Sequence, residues 1–298
     1  ICTACDKDWS PASSRCGDGD RSLVNQLESR GDFGGALAQL VIQPGADQLV
    51  GLIAVLGADP TEYQPCADAI KLASERLIGL RALFIGEMTG DECEISWIFY
   101  EGNLAPVAQA YPKLTHLQIR GGAMSLAGLK HAALTTLIIE SGGLDADVIG
   151  EVLQAKLPAL EHLELWLGTP NYGGIEEIGP LKPLLDENPF PKLRRLGLRN
   201  SELADEIAIA LTGSRLMKQL EVLDLSLGNL SDQGAKALLK CINIRPLKTL
   251  DIHHHFVSPD MLERLKQTGV ELIAHDEQQP DGIDDETGEP YRYCAVME

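Results

Sequence analysis

The chain has 298 residues, of which 44% are hydrophobic, and 25 Lys and Arg oppose 44 Asp and Glu to give a formal net charge of −19. This charge disfavours binding to nucleic-acid phosphates and to anionic membrane surfaces. The longest apolar run, near residues 49–58, is shorter than the roughly 20 residues of a bilayer-spanning helix.

The first 22 residues are polar and aperiodic, which predicts a disordered N-terminus. Cys2, Cys5 and Cys16 form a C-x-x-C pair with a third cysteine, but no histidine is nearby and a structural zinc site needs four ligands. A solvated terminus is therefore favoured over a zinc site. The start does not resemble a secretory signal, and seven scattered cysteines are typical of free thiols, so we expect a cytoplasmic protein.

Residues 23–275 are predicted to form one solenoid, including an N-terminal cap. SLVNQLESR, from Ser22, has helical spacing, and ALAQLVIQPG, from Ala36, predicts a strand that ends at Pro44 and Gly45. We expect these two elements to cover the core of the first repeat, which would otherwise be exposed.

A phrase of the form L-x-x-L-x-L recurs through most of the chain. It occurs, with a weaker first copy, as LVGLIA from Leu49, LRALFI from Leu80, LTHLQI from Leu114, LTTLII from Leu134, LEHLEL from Leu160, LRRLGL from Leu193, LEVLDL from Leu220 and LKTLDI from Leu247. The copies start 20 to 34 residues apart, by subtraction of these positions. This spacing is typical of leucine-rich repeats with insertions. The phrase predicts a parallel strand on a concave face, and the helical pattern after it predicts a helix on the convex face.

Two helix starts are marked by capping residues. Ser231 precedes DQGAKALLKC, and Ser258 with Pro259 precedes DMLERL. A serine hydroxyl satisfies a free N–H of the first turn, and proline lacks an N–H that needs a partner. The copy from Leu160 is followed by a stretch rich in Gly and Pro, which indicates loops around a short helix.

The C-terminal region changes character after Ala274. Residues 276–290 carry seven acidic side chains and no Lys or Arg, which predicts a flexible, solvated segment. Residues 291–298, YRYCAVME, form a short apolar run that we expect to dock on the solenoid as a C-terminal cap.

The repeat unit LDLSLGNLSDQGAKALL resembles the ribonuclease-inhibitor type of leucine-rich repeat. That type often carries Asn or Cys just after the strand. This chain instead has Gly122, Gly142, Gly168, Ser201, Gly228 and His255 there, which argues against a regular asparagine ladder.

Four stretches of the chain are similar to an uncharacterised family of bacterial leucine-rich-repeat proteins: GEMTGDECEISWI, LEHLELWLGTPNYGG, LDIHHHF and RYCAVME. This resemblance covers about residues 49–298. It implies a bacterial cytoplasmic protein without an established enzyme activity, and it supplies no functional residues.

Side chains between the inward-facing leucines alternate onto the concave face, where neighbouring strands lie about 4.8 Å apart. Reading across the strands gives three rows of side chains. Their charged, imidazole and indole members are the predicted partner-binding residues: His116, Arg120, Glu140, His162, Glu164, Trp166, Arg195, Arg199, Asp224, Asp251 and His253.

Two clusters stand out in these rows. Exposed Trp166 and Arg199 would be typical interface anchors; alternatively, Arg199 stacks on Trp166 and pairs with Glu164 as part of a satisfied patch. Asp224 beside Asp251, with His253, could ligate a divalent metal, although solvent also screens such acids. His254 and His255 are expected to be hydrogen-bonding loop residues. Cys93, between two acidic neighbours, is expected to be a packing residue and not a nucleophile.

The sequence thus favours an α/β leucine-rich-repeat solenoid that binds a protein partner, one with a basic or mixed patch, on its concave face and is not an enzyme. No cofactor or metal is expected. Two alternatives remain open: a metal-assisted hydrolase that uses Asp224, Asp251 and His253, and a scaffold that binds through the acidic segment 276–290.

Overall fold

The computed structural model describes residues 24–28, 33–55, 66–87, 95–244, 247–283, 288 and 290–296; at 24–28, at Trp97 and at 242–244 it describes the backbone alone. The hypotheses about the first 22 residues, the zinc-type cysteines and Cys93 lie outside these ranges. The chain divides into two compact units, one within residues 1–140 and 154–160 and the other within 141–153 and 161–297.

Each unit contains consecutive parallel strands that pair in chain order. The first unit holds β1 (Val24–Glu28), β2 (Gly51–Val55), β3 (Ala82–Glu87), β4 (His116–Arg120) and β5 (Thr136–Glu140). The second holds β6 (His162–Gly168), β7 (Arg195–Ser201), β8 (Val222–Asp224), β9 (Thr249–Asp251) and β10 (Glu271–Ile273).

The L-x-x-L-x-L phrases predicted strands β2 to β9, and the structure confirms them. The fourth position of the phrase is a leucine that is almost completely buried wherever the seven full copies occur: Leu83, Leu117, Leu137, Leu163, Leu196, Leu223 and Leu250. Burying one such side chain contributes roughly 1.5–3 kcal/mol. The regular leucines therefore account for much of the stability of each strand layer.

An α-helix lies between most pairs of successive strands, and helices pack on their neighbours along the chain, α1 on α2, α2 on α3, α5 on α6 and α6 on α7. They are α1 (Phe33–Val41), α2 (Cys66–Ala73), α3 (Ala105–Gln109), α4 (Ala146–Leu153), α5 (Ala204–Leu211), α6 (Asp232–Ile244) and α7 (Pro259–Lys266). The insertion after β6 consists of short turns of helix at Pro170–Tyr172, Gly179–Leu181 and Pro183–Glu187. This alternation of parallel strand and helix is the α/β leucine-rich-repeat solenoid that the sequence predicted. In the described parts of the chain, no helix combines the length and apolar character that crossing a bilayer requires.

The two elements expected at the N-terminal end are exchanged in the structure. Residues 24–28, predicted to be helical, form β1, which pairs with β2 from Val24↔Gly51 to Glu28↔Val55. Residues 33–41, in which a strand was predicted from Ala36, form α1 around the buried Leu37. Backbone pairing with β2 outweighs the local helical spacing of the first segment, and the Ala- and Leu-rich second segment has high helix propensity.

Both predicted helix caps are present. The Ser258 hydroxyl accepts a hydrogen bond from the Met261 N–H at 3.4 Å, with Pro259 in the first turn of α7. The Ser231 hydroxyl accepts one from the Gln233 N–H at 3.2 Å, at the start of α6. These caps satisfy donors that the first helical turn leaves without partners.

At Gly122 and Gly168, two of the positions after the strands, neighbouring backbones lie too close together for an asparagine side chain. Gly168 has φ +66°, and a Cβ atom there would lie 1.8 Å from the Gly142 carbonyl oxygen. A Cβ atom at Gly122 would lie 2.0 Å from the Ser96 carbonyl oxygen. Glycine is therefore required at positions where a polar side chain occurs in more regular repeats.

His255 confirms the prediction of a hydrogen-bonding loop histidine. Its side chain is completely buried, and its Nδ1 accepts a hydrogen bond from the Val257 N–H at 3.0 Å. With Nδ1 as the acceptor, Nε2 carries the proton and faces the Ala274 carbonyl oxygen at 3.4 Å. Burial lowers the pKa of this imidazole. A neutral His255 thus links two turns, as asparagine does elsewhere.

Candidate interaction surface

The predicted rows of side chains across the strands are present within each unit. In the second unit His162 pairs with Arg195 and Glu164 with Gly197, while Trp166 pairs with Arg199. The same registers continue through β8 and β9, and in the first unit through β3, β4 and β5. We call the side of each strand layer that carries these paired side chains the strand face. Its first row is the line of residues at the strand starts: His116 and Thr136 in the first unit, and His162, Arg195, Val222 and Thr249 in the second.

The first row consists of accessible side chains at the strand starts. Arg195 is exposed, and His116, His162, Val222 and Thr249 are partly exposed. The His162 Nε2 lies 3.5 Å from Glu164 Oε2, so this imidazole stands at the border between the accessible row and the buried side chains behind it.

In the first unit, Arg120 is the centre of a buried polar cluster. Its Nε donates to Glu140 Oε2 at 2.7 Å, and its Nη1 lies 3.5 Å from Glu87 Oε1. Gln118 donates to the other Glu140 oxygen at 2.8 Å, and the guanidinium carbon lies 5.4 Å from the centre of the Phe84 ring. The planar guanidinium is thus held by two carboxylates and one aromatic face.

In the second unit, Arg199 has a similar role. Its Nη1 donates to Glu164 Oε1 at 2.7 Å, and its Nε donates to the Ser226 hydroxyl at 2.9 Å. The guanidinium carbon is 5.0 Å from the centre of the Trp166 ring, and the Trp166 Nε1 donates to the same Glu164 oxygen at 2.9 Å. Ser226 in turn donates to Asp224 Oδ1 at 2.5 Å. We call Glu164, Trp166, Arg199, Asp224 and Ser226 the Arg199 cluster.

The expectation that Trp166 and Arg199 are exposed is wrong. Only 4% of Trp166 and 3% of Arg199 is accessible. Strands spaced about 4.8 Å apart bring long side chains of one face against each other, so they cover one another instead of projecting into solvent. The alternative interpretation, in which Arg199 stacks on Trp166 and pairs with Glu164, describes the observed contacts.

Glycine provides the room for this arrangement. Gly197 pairs with Glu164 on the neighbouring strand and lies two residues before Arg199. A Cβ atom at Gly197 would lie 2.9 Å from Glu164 Cγ and 3.4 Å from Arg199 Cγ. In the first unit, a Cβ atom at Gly86 would lie 2.3 Å from the Tyr100 hydroxyl oxygen. A glycine within a strand is therefore a sequence signal that neighbouring groups approach the backbone closely. The prediction of the site considered only the charged and aromatic residues of each row and overlooked this signal.

Tyr100 is a buried residue that the sequence did not mark. Its hydroxyl donates to the Arg120 carbonyl oxygen, and burial, followed by the nearby Cys66, raises its pKa well above the ordinary value. Tyr100 therefore supports the backbone of β4 as a neutral hydrogen-bond donor.

Asp251 and His253 form a separate pair at the end of β9. The His253 Nδ1 lies 2.7 Å from Asp251 Oδ1, and the same oxygen accepts the His253 N–H at 3.1 Å. His275, which the sequence did not single out, stacks on the His253 ring with centroids 4.9 Å apart. Asp224 accepts hydrogen bonds from the backbone and side chain of Ser226. Among the described residues, no group of three or more His, Cys, Asp or Glu is disposed to hold a metal ion.

The comparisons with known proteins support the fold. No family model matches the chain, and no curated protein matches it. A crystal structure of a Bacteroides fragilis protein is similar to it with a TM-score of 0.80 and 26% identity, over 93% of this chain and 78% of that one. An internalin from Listeria monocytogenes aligns over 86% of each chain, with a TM-score of 0.29 and 14% identity. The fold of this chain is therefore shared with a bacterial protein of determined structure.

Proposed function

We propose that the chain is a non-enzymatic protein-interaction module whose partner binds the strand face. The fold supports this proposal because stacked repeats present an extended surface of side chains at fixed spacing. The observation that carries it is the layering of the second unit, in which His162, Arg195, Val222 and Thr249 are accessible in front of the buried Arg199 cluster.

The buried cluster suits an indirect role in binding. Its hydrogen bonds and stacking fix the strands on which the first row is mounted, so that little side-chain freedom has to be lost on association. We therefore assign direct contacts to Arg195 and His162, and to His116 in the first unit. The buried side chains act by holding the surface in place: Glu164, Trp166, Arg199 and Asp224 in the second unit, and Arg120 and Glu140 in the first. The Asp251 carboxylate orients His253. The acidic composition suits a partner with a basic or mixed patch.

The two alternatives make different predictions. A metal-assisted hydrolase would bind a stoichiometric divalent metal through Asp224, Asp251 and His253, which elemental analysis and thermal shifts with zinc, manganese or magnesium detect. A scaffold that binds through residues 276–290 would retain its partner when the strand face is altered.

The direct test compares partner capture by two full-length variants. Arg195→Ala combined with His162→Ala removes the accessible cation and imidazole of the first row. Arg215→Ala removes an exposed cation between α5 and β8 and serves as the matched control. Proteins retained from a bacterial lysate by both the wild type and the control, and lost with the double variant, support the proposal. Equal retention by all three would contradict it.

A further inference from the structure

The C-terminal residues 291–296, which we call the strap, lie against the end of β7 and against the turns that follow β8 and β9. The Asn200 Nδ2 donates to the Val296 carbonyl oxygen at 2.6 Å, and the Val296 N–H donates back to Asn200 Oδ1 at 2.9 Å. The Ala295 N–H donates to the Leu227 carbonyl oxygen at 2.8 Å. One turn further, the His254 Nε2 lies 3.4 Å from the Tyr293 carbonyl oxygen. We call Asn200, Leu227 and His254 the turn groove.

The turn groove is a repeated structural feature. Asn200, Leu227 and His254 all have positive φ angles, of 49°, 65° and 56°. Leucine rarely adopts this conformation, which costs about 1–2 kcal/mol per residue. Backbone strain of this kind is concentrated at functional positions. Here it occurs at three positions, one in each of three successive repeats, and each of them contacts the strap.

Most strap contacts involve backbone atoms, so they do not depend on the side chains of the bound segment. An amide side chain that bonds both the N–H and the C=O of one residue recognises an extended backbone, as an adjacent β-strand does. Two features add side-chain preference. Cys294 is only 3% accessible, and Arg292 Nη2 lies 3.9 Å from Asp205 Oδ2. The site therefore favours a small side chain at one position and a cation two residues before it.

The surroundings of the strap are acidic. Besides Asp205, they include Glu202, whose pKa is raised chiefly by burial. A cation nearby would relieve the cost of ionising that carboxyl group. The strap itself fits incompletely, because Arg292 Nε is buried without a hydrogen-bond partner among the described residues. Tyr291 and Tyr293 leave 40% and 42% of their surfaces exposed.

We propose that the turn groove is a binding site for an extended peptide segment of a partner protein, occupied in this structure by the chain's own strap. The segment it takes has Arg or Lys two residues before a small apolar residue. The strap is then an internal competitor, and a partner segment displaces it. This inference rests on the proposed interaction function and supplies a second binding site for it.

The test uses the full-length chain and a labelled peptide. Ala295→Pro removes the N–H that bonds Leu227 and leaves the turn groove unchanged, whereas Ala295→Ser retains that N–H as the control. The probe is the fluorescent peptide PYRYAAV, which corresponds to residues 290–296 with the cysteine replaced by alanine, and a second peptide carries Glu in place of Arg. Binding is measured by fluorescence anisotropy. Alkylation of Cys294, followed by mass spectrometry of the peptide that contains it, reports release of the strap.

We expect Ala295→Pro to bind the Arg peptide about ten-fold more tightly than the wild type and the Ser control, because loss of one hydrogen bond weakens the competitor. We expect the Glu peptide to bind about ten-fold more weakly than the Arg peptide, and Cys294 to be alkylated faster in Ala295→Pro alone.

Equal peptide affinities across the three proteins, equal binding of the two peptides, or unchanged Cys294 alkylation would each overturn the inference. A dimer formed by exchange of straps would also contradict it, because the occupant would then be a second copy. Failure here is distinct from failure of the proposed function, since the capture test alters only first-row residues.

Discussion

At the scale of single residues, the main feature is that the buried charged side chains of the strand face have a structural role. Arg199 is held by Glu164 and Ser226, with Asp224 Oδ2 3.5 Å from its Nε. Removing water from charges is costly, and only close pairing with further hydrogen bonds offsets it. Such a network is strongly destabilised when one member is lost, even where the whole network adds little net stability.

Arg199→Ala should therefore lower the free energy of unfolding by about 3–5 kcal/mol, because Glu164 is left buried without its cation. Arg195→Ala, at an exposed position in the same strand, should change it by less than about 0.5 kcal/mol. Urea unfolding followed by circular dichroism measures both. Similar values for the two variants would show that the cluster is not a structural element.

His255 gives a pH dependence of stability. Burial lowers its pKa in the folded state, so the unfolded chain binds the proton more readily. The stabilisation is fully present above the unfolded pKa of about 6.5 and is lost as the pH falls through that value towards the folded pKa.

Between pH 7.5 and 5.5, the wild type should lose more stability than His255→Gln, which cannot be protonated in this range. The comparison requires urea unfolding of both proteins at the two pH values. Equal losses would mean that another group accounts for the pH dependence.

At the scale of elements, acidic residues connect the N-termini of successive helices. In α5, Asp205 Oδ1 accepts the Ser231 and Gly234 N–H groups at 2.8 and 2.9 Å. In α6, one repeat later, Asp232 accepts the Ser258 N–H at 2.7 Å and the Ser258 hydroxyl at 2.8 Å. Each carboxylate thus supports the cap of the following helix, near the positive end of its dipole. We call these links between successive repeats the helix-side ladder.

Asp232→Ala should destabilise the protein by about 1–3 kcal/mol, because Ser258 loses both partners that orient it as the cap of α7. Gln233→Ala, at the exposed neighbouring position, is the control and should be nearly neutral. Thermal unfolding of the two variants distinguishes a specific cap from a general effect on α6. Equal melting temperatures would contradict the ladder.

The sequence predicted the strands and their register well, because leucines at fixed spacing leave few ways to bury the strand layer. It failed at β1 and α1, where pairing with β2 decides the conformation of residues 24–28 and no local pattern reports it. It also failed for the exposure of Trp166 and Arg199. Residue type indicates which side of a strand a side chain occupies, but burial depends on how neighbours such as Gly197 allow side chains to lie across one another.

At the scale of the whole molecule, an excess of 19 negative charges coexists with buried cations that are already paired. The arginines of the clusters are engaged within the chain, whereas Arg195 is an exposed cation among the described residues of the strand face. A partner that presents both cations and carboxylates would complement this surface. Selection of the partner is thus expected to depend on the first row.

Hydroxyl-radical footprinting of the full-length chain, alone and bound to a captured partner, tests the central claim most directly. His162 and Val222 on the strand face are partly exposed and oxidisable, while Ile209 in α5 is 42% exposed on a helix. We predict that partner binding protects His162 and Val222 and leaves Ile209 unchanged. Protection of Ile209, or unchanged oxidation of both His162 and Val222, would contradict binding at the strand face.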